Sequence, residues 1–135
     1  MSERQSTSTV PSAVSGDRYS GVPAITRAEV LVSSARAYIF DRIGTIWRTL
    51  VAGERLSIQQ RALYRLAMTH AHEACLEAVQ GLYKAVGGSA VYASGPFDRP
   101  LRDLLTINQH TVNSPKLQET IGKVLLGIDV RDPMI

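Results

Sequence analysis

The sequence is poor in the residues that would define several protein classes at once. Among its 135 residues there is one cysteine, one tryptophan and 6% aromatic side chains in all. A lone Cys75 excludes a disulfide framework, and its place within an apolar helical pattern points to a buried structural thiol in a reducing compartment. Nowhere do eighteen apolar residues run together, which excludes a membrane-spanning helix, and the amino terminus lacks the apolar core of a secretory leader. Cytoplasmic residence follows as the expectation. No phosphate-binding loop, nucleophile elbow or zinc signature occurs, so sequence chemistry alone identifies no enzyme.

Charge excludes less. The net charge is +3, and the arginines are scattered from Arg4 to Arg131. The loose group Arg48, Arg55, Arg61 and Arg65 brackets a helical turn and reads as a solvated surface, not as a nucleic-acid face. No nucleic-acid partner is expected.

What is present is helical periodicity. Residues 1–24 are rich in serine and threonine and bury too little apolar area to offset their ordering entropy, so they read as a flexible arm ahead of a bundle spanning 25–135. Thr26 and Glu29 form a capping-box signal, and Ala28, Leu31, Val32, Ala35, Ile39, Ile43, Ile46, Trp47 and Leu50 then build one apolar stripe to Gly53, predicting a helix over 27–51. Ser57 and Gln60 repeat the signal. Behind them Leu63, Leu66, Ala67, His70, Ala71, Ala74, Cys75, Ala78, Val79, Leu82 and Val86 carry a second stripe as far as Gly87 and Gly88.

The short connection between these two long helices makes them antiparallel neighbours. After a loop over 87–96, Leu101, Leu104, Leu105, Asn108 and Val112 predict a third helix over 98–112. Ser114 and Pro115 then supply the N-cap and first position of a fourth that runs to Gly127. The fold class is all-α: an antiparallel helical bundle with two long and two shorter helices. Two long rods present more apolar surface than two short helices can cover, so self-association is expected.

Several residues are candidates for chemistry. Arg99, Asp103, Thr106 and His110 fall on one polar stripe of the third helix, where guanidinium, carboxylate, hydroxyl and imidazole could bind an anion and move a proton near neutral pH; periodicity alone favours a solvated face. His70 and His72 point about 200° apart on a helix of 100° per residue, so with Glu73 and Cys75 they make no metal site. Gly87, Gly88 and Ser89 permit close approach of backbone amides to a phosphate or ring, or simply end a helix.

Three segments, AEVLVSSARAYIF, LYKAVGGSAVYASGPFDRPLRD and GKVLLGID, resemble the carboxy-terminal domain of the acyl-CoA dehydrogenase superfamily between Ala28 and Gly127. The resemblance implies a helical domain that packs on flavin and forms the centre of a tetramer. Acyl-CoA dehydrogenases commonly place a catalytic glutamate shortly after the Arg-Asp pair; here Thr106 to His110 follow, and no carboxylate occurs before Glu119. The flavin-dependent monooxygenase branch, which hydroxylates aromatic and related substrates with reduced flavin and oxygen, is the better match, since it places a histidine at this point.

That resemblance makes His110 the catalytic residue, hydrogen-bonding the flavin–oxygen adduct or helping to deprotonate a phenolic substrate. It puts Gly88, Ser89, Ser94 and Arg99 at the cofactor, FMN or FAD, and leaves Arg102 and Asp103 structural. The family's amino-terminal helical domain, its β domain and the first helix of its bundle have no counterpart here. A chain of this kind would be inactive alone. It would act as a homo-oligomer or in complex with a fuller flavoenzyme chain; the alternative is a non-catalytic helical oligomerisation or regulatory module.

Overall fold

The computed structural model describes residues 21–87, 95–109, 114–132 and 135. Four helices follow one another: α1 (Val22–Val51), α2 (Ile58–Val86), α3 (Asp98–Asn108) and α4 (Pro115–Leu125). This is the all-α arrangement expected, with α2 packed against each of the other three.

The first helix begins earlier than its capping signal predicts. Pro23 occupies the first turn, where its fixed φ suits a helix and its missing N–H leaves nothing unpaired. Thr26 therefore lies inside the helix, its hydroxyl donating back to the Pro23 carbonyl at 3.0 Å, and Glu29 accepts from Ser33 at 2.6 Å. Neither caps anything. The second signal is real: Gln60 N–H donates to Ser57 Oγ at 3.1 Å and Ser57 N–H donates to Gln60 Oε1 at 2.9 Å. Gln60 Nε2 also donates to Thr49 Oγ1 at 2.7 Å, tying this cap to the last turn of α1. Ser57→Ala is expected to cost about 1 kcal/mol, read as a lower denaturation midpoint with unchanged slope.

Between the rods the chain turns at Gly53, whose φ of 75° an L side chain rarely adopts. Gly53 N–H donates to Leu50 O and Glu54 N–H to Thr49 O, satisfying carbonyls that the helix end would leave orphaned. The same pair of bonds, from Gly127 to Val124 and from Ile128 to Lys123, closes α4. Contacts between the rods then step apart in opposite directions from this turn: Thr49 meets Gln60, Tyr38 meets His70, and Arg27 meets Glu77. The rods are antiparallel.

Two separate clusters hold the structure. Leu31 and Ala35 of α1 pack on Ala74 and Ala78 of α2, a seam of small residues that lets the helices approach closely. Nearer the turn, Ala62 of α2 receives Leu117, Ile121 and Val124 of α4 together with Ile135. The tail that brings Ile135 there is held by Thr120 Oγ1 donating to Asp132 Oδ2 at 3.1 Å and by Arg61 Nη1 donating to Ile135 O at 2.9 Å. Cys75 is half-buried and free, not sealed in the core as expected.

The apolar stripe of α1 is in fact two faces. Ala28, Leu31 and Ala35 turn toward α2, whereas Val32, Ile43, Trp47 and Leu50 remain exposed, alongside Val22, Ile25, Phe40 and Val51. At 100° per residue these exposed positions fill an arc adjoining the packed one. One hairpin partner covers only the latter.

Candidate functional site

The sequence places the candidate chemistry between the end of α2 and the end of α3. Helix α2 stops at Val86, and Gly87 caps it with φ 71° and ψ −147°, a conformation closed to residues with a β-carbon. Among the described residues a β-carbon built on Gly87 would meet no atom within 4 Å. Gly88, Ser89 and Ser94 lie outside the described residues, as does His110.

The described chain resumes at Gly95, whose carbonyl accepts from Asp98 N–H at 3.4 Å, and α3 starts there. Asp98 in the first turn complements the positive end of the helix dipole, and Pro100 falls where its missing N–H is harmless. Half-buried Leu101, Leu104 and Asn108 share one side of α3. Helix α3 ends at Asn108, short of the predicted 112. Gln109 N–H turns to Thr106 O at 3.1 Å, a tightened last turn, and Asn108 Nδ2 takes up the Leu104 carbonyl at 3.1 Å.

Arg99, Asp103 and Thr106 lie on the opposite, exposed side. The Arg99 side chain is 89% exposed and meets Asp103 at only 3.7 Å, while Arg102 donates to Asp98 at 2.7 Å. Exposed pairs of this kind contribute about 0.3–0.5 kcal/mol at most. Arg99 is thus weakly held, with its donors open to another group. The Thr106 hydroxyl donates to the Arg102 carbonyl at 2.9 Å and is committed to its own helix. Of the polar stripe, three members share one face as the spacing requires.

Two grooves along the hairpin were not anticipated from the sequence. One, of about 560 Å³, lies between α1, α2 and α4, with Tyr38, His70, Glu73 and Gln118 on its walls. Gln118 Nε2 donates to Glu73 Oε1 at 3.0 Å across it, and the Tyr38 and His70 rings stand 6.3 Å apart. The other, of about 740 Å³, lies beside the α1–α2 turn and contains Tyr64 with Arg61 and Arg65, two of the arginines read as a solvated surface. The signal available was their four-residue spacing; what it lacked was the position of Ile43 and Ile46 opposite. On α4, Lys123 hydrogen-bonds Glu119 and holds its carboxyl below the usual glutamate range. Among the described residues no group of three or more His, Cys, Asp or Glu side chains could hold a metal ion, and no helix is long and apolar enough to cross a membrane.

Known proteins share this architecture. A crystal structure of 3-HSA hydroxylase from Rhodococcus sp. RHA1 superposes with a TM-score of 0.81 at 22% identity, covering 88% of this chain and 31% of that one. Indole-3-acetate monooxygenase of Acinetobacter baumannii is 24% identical over 102 residues, 76% of this chain and 26% of the relative. A pigment production hydroxylase of Rhodococcus erythropolis is 27% identical over 123 residues, 90% of this chain and 31% of the relative. The chain therefore spans only about a quarter to a third of the relatives it matches.

The family described as acyl-CoA dehydrogenase, C-terminal domain, matches residues 3–115. That span reaches back through the serine-rich stretch and takes in both the segment after Gly87 and the position of His110. With the helical architecture, it establishes that the chain belongs to the acyl-CoA dehydrogenase C-terminal domain family and resembles, over part of their length, monooxygenases and hydroxylases of that fold.

Proposed function

We propose that this chain supplies the helical, flavin-facing part of a monooxygenase site and acts only with a polypeptide that provides the remainder. The observation that carries the reading is the family match across residues 3–115, taken with the absence of any carboxylate between Asp103 and Glu119. A thioester dehydrogenase would need that base. The relatives named as monooxygenases and hydroxylases support the same branch.

The described residues fit a flavin to the extent that they bear on one. Gly87 ends α2 with a positive φ that favours glycine, and Arg99 offers a guanidinium bound only loosely to Asp103. In this reading Gly88, Ser89 and Ser94 bring backbone and hydroxyl donors to FMN or FAD, and Arg99 meets an anionic group of the cofactor. The flavin, when bound, would pass electrons from a reductant to oxygen. His110 takes the proton of a phenolic hydroxyl on one ring nitrogen, a general-base role that an imidazole can fill. Since α1 starts at Val22, the bundle begins there and not at residue 25; in this reading residues 1–21 form an arm before it and the setting is the cytoplasm.

A second reading has its own observation. The exposed apolar face of α1 suits a helical assembly module that associates with itself or with a fuller flavoenzyme chain without catalysing. The two separate in one experiment. The chain is titrated with oxidised and reduced FMN and FAD, alone and mixed with an indole-3-acetate monooxygenase lacking its matching carboxy-terminal quarter, while flavin fluorescence, hydroxylated product and mass by light scattering are followed. Flavin binding and turnover are expected only in the mixture, with His110→Ala lowering turnover by about 10²–10⁴ at unchanged mass. A flavin-free homo-oligomer that restores nothing would establish the second reading.

A further inference from the structure

The groove beside the α1–α2 turn combines an apolar floor with cations. Ile43 and Ile46 of α1, Leu56 of the connection and Met68 of α2 supply aliphatic walls, and Arg61 and Arg65 line the same space. The two arginines are four residues apart on one helix face, so their stems stand about 5–6 Å from each other. Ile135, the last of the 135 residues, lines the groove as well, and Arg61 already gives one N–H to its terminal carboxyl oxygen at 2.9 Å, which leaves Arg65 as the cation still to be met. Arg65 is half-buried, and none of the ion pairs among the described residues includes it.

A partly desolvated guanidinium over hydrocarbon is costly until an anion meets it. Its planar fork matches the two oxygens of a carboxylate better than a point charge would. The groove volume of about 740 Å³ falls among those of small-molecule sites, which are likewise apolar with a few convergent polar groups. With Arg61 partly engaged, the remaining donors suit one singly charged head, and the branched and thioether walls suit an alkyl tail.

We propose that this groove binds a free organic monocarboxylate with an alkyl tail, its head on Arg65 and the spare donors of Arg61, its tail against Ile43, Ile46, Leu56 and Met68. Arg65 lies roughly 33 Å along α2 from Gly87, at ~1.5 Å per residue, so the proposal stands apart from the flavin reading.

Trp47, the chain's single tryptophan, sits one helical turn beyond Ile43 and reports on the groove. The full chain is titrated with octanoate and, separately, with octan-1-ol, following Trp47 fluorescence and calorimetric heat. Saturable binding of one octanoate per chain is expected, with the alcohol at least about ten-fold weaker, since it keeps the tail and loses the charge. Arg65→Gln should weaken octanoate about ten-fold or more with helical circular dichroism unchanged, and Arg65→Lys should fall between, keeping charge without the fork. If Arg65→Gln perturbs folding, Arg65→Lys carries the comparison, weaker than the parent for octanoate and unchanged for the alcohol. Equal binding of acid and alcohol, an unaffected glutamine variant, or no saturation below the micellar range of octanoate would each overturn the proposal.

Discussion

Ile121→Ala is expected to remove about 2–5 kcal/mol of stability, the range for deleting a fully enclosed branched side chain from a core that relaxes only in part. Ile121 is 1% exposed and stands at the centre of the cluster formed by Ala62, Leu117, Val124 and Ile135. Few other contacts can compensate. Helix α4 has 11 residues, and its packing onto the bundle is against α2, so the cavity opens at the seat of the whole helix. A domain of ordinary stability holds about 5–15 kcal/mol in total, and this one substitution takes a large share of it.

The consequence reaches beyond α4. The tail is held to α4 through Thr120–Asp132 and meets α2 through Ile135, in the same cluster and bonded to Arg61, so loosening α4 also frees Arg61 from Ile135. Chemical denaturation should show the loss, and hydrogen exchange should show amides of α4 opening before those of α1 and of α2 along the alanine seam. A change below about 0.5 kcal/mol, the scale of an ordinary surface substitution, would mean that Ile121 is not a keystone and that α4 is held by something else.

How much of this was legible beforehand depends on how local each cause is. The Ser57–Gln60 box, Gly53 and the Ser114–Pro115 start act within one turn of helix, and each appears where the sequence puts it. Thr26 with Glu29 spells the same box and forms none, because Pro23 three residues earlier already offers a helix start, and the threonine hydroxyl then finds backbone carbonyls. The apolar residues of α1 looked like one stripe since three- and four-residue steps also describe a broad arc. Which half of that arc is covered depends on a single neighbour, and no local pattern states how far α2 extends around it.

The grooves were illegible for the same reason. Arg61 and Arg65 gain their meaning from Ile43 and Ile46, which come from another helix. Of the residues chosen for chemistry, Arg99 is placed on the exposed side of α3 beside Asp103, as its spacing with Asp103 and Thr106 requires. The cofactor and proton-transfer assignments of Gly88, Ser89, Ser94 and His110 rest on family membership together with the proposed reaction, not on periodicity.

The second large effect concerns association. Phe40→Glu combined with Trp47→Glu is expected to convert a homo-oligomer into a single chain of 14.7 kDa while leaving the helical signal intact. In the isolated chain Phe40 is 56% and Trp47 67% exposed, and Leu50 and Val51 extend the same face. Covering a large aromatic side chain contributes about 1.5–3 kcal/mol by area, and a two-fold interface uses each position twice. Introducing four carboxylates into such a contact adds desolvation and like-charge repulsion to the lost burial. The dimer constant should therefore weaken on the order of a thousand-fold or more, at about 1.4 kcal/mol per decade. Light scattering across a dilution series reads this directly. Because both residues lie outside the Leu31–Ala35–Ala74–Ala78 seam, thermal melting extrapolated to the monomer should change little. A doubly substituted chain that keeps the parent mass would show that the α1 face is not what joins the copies.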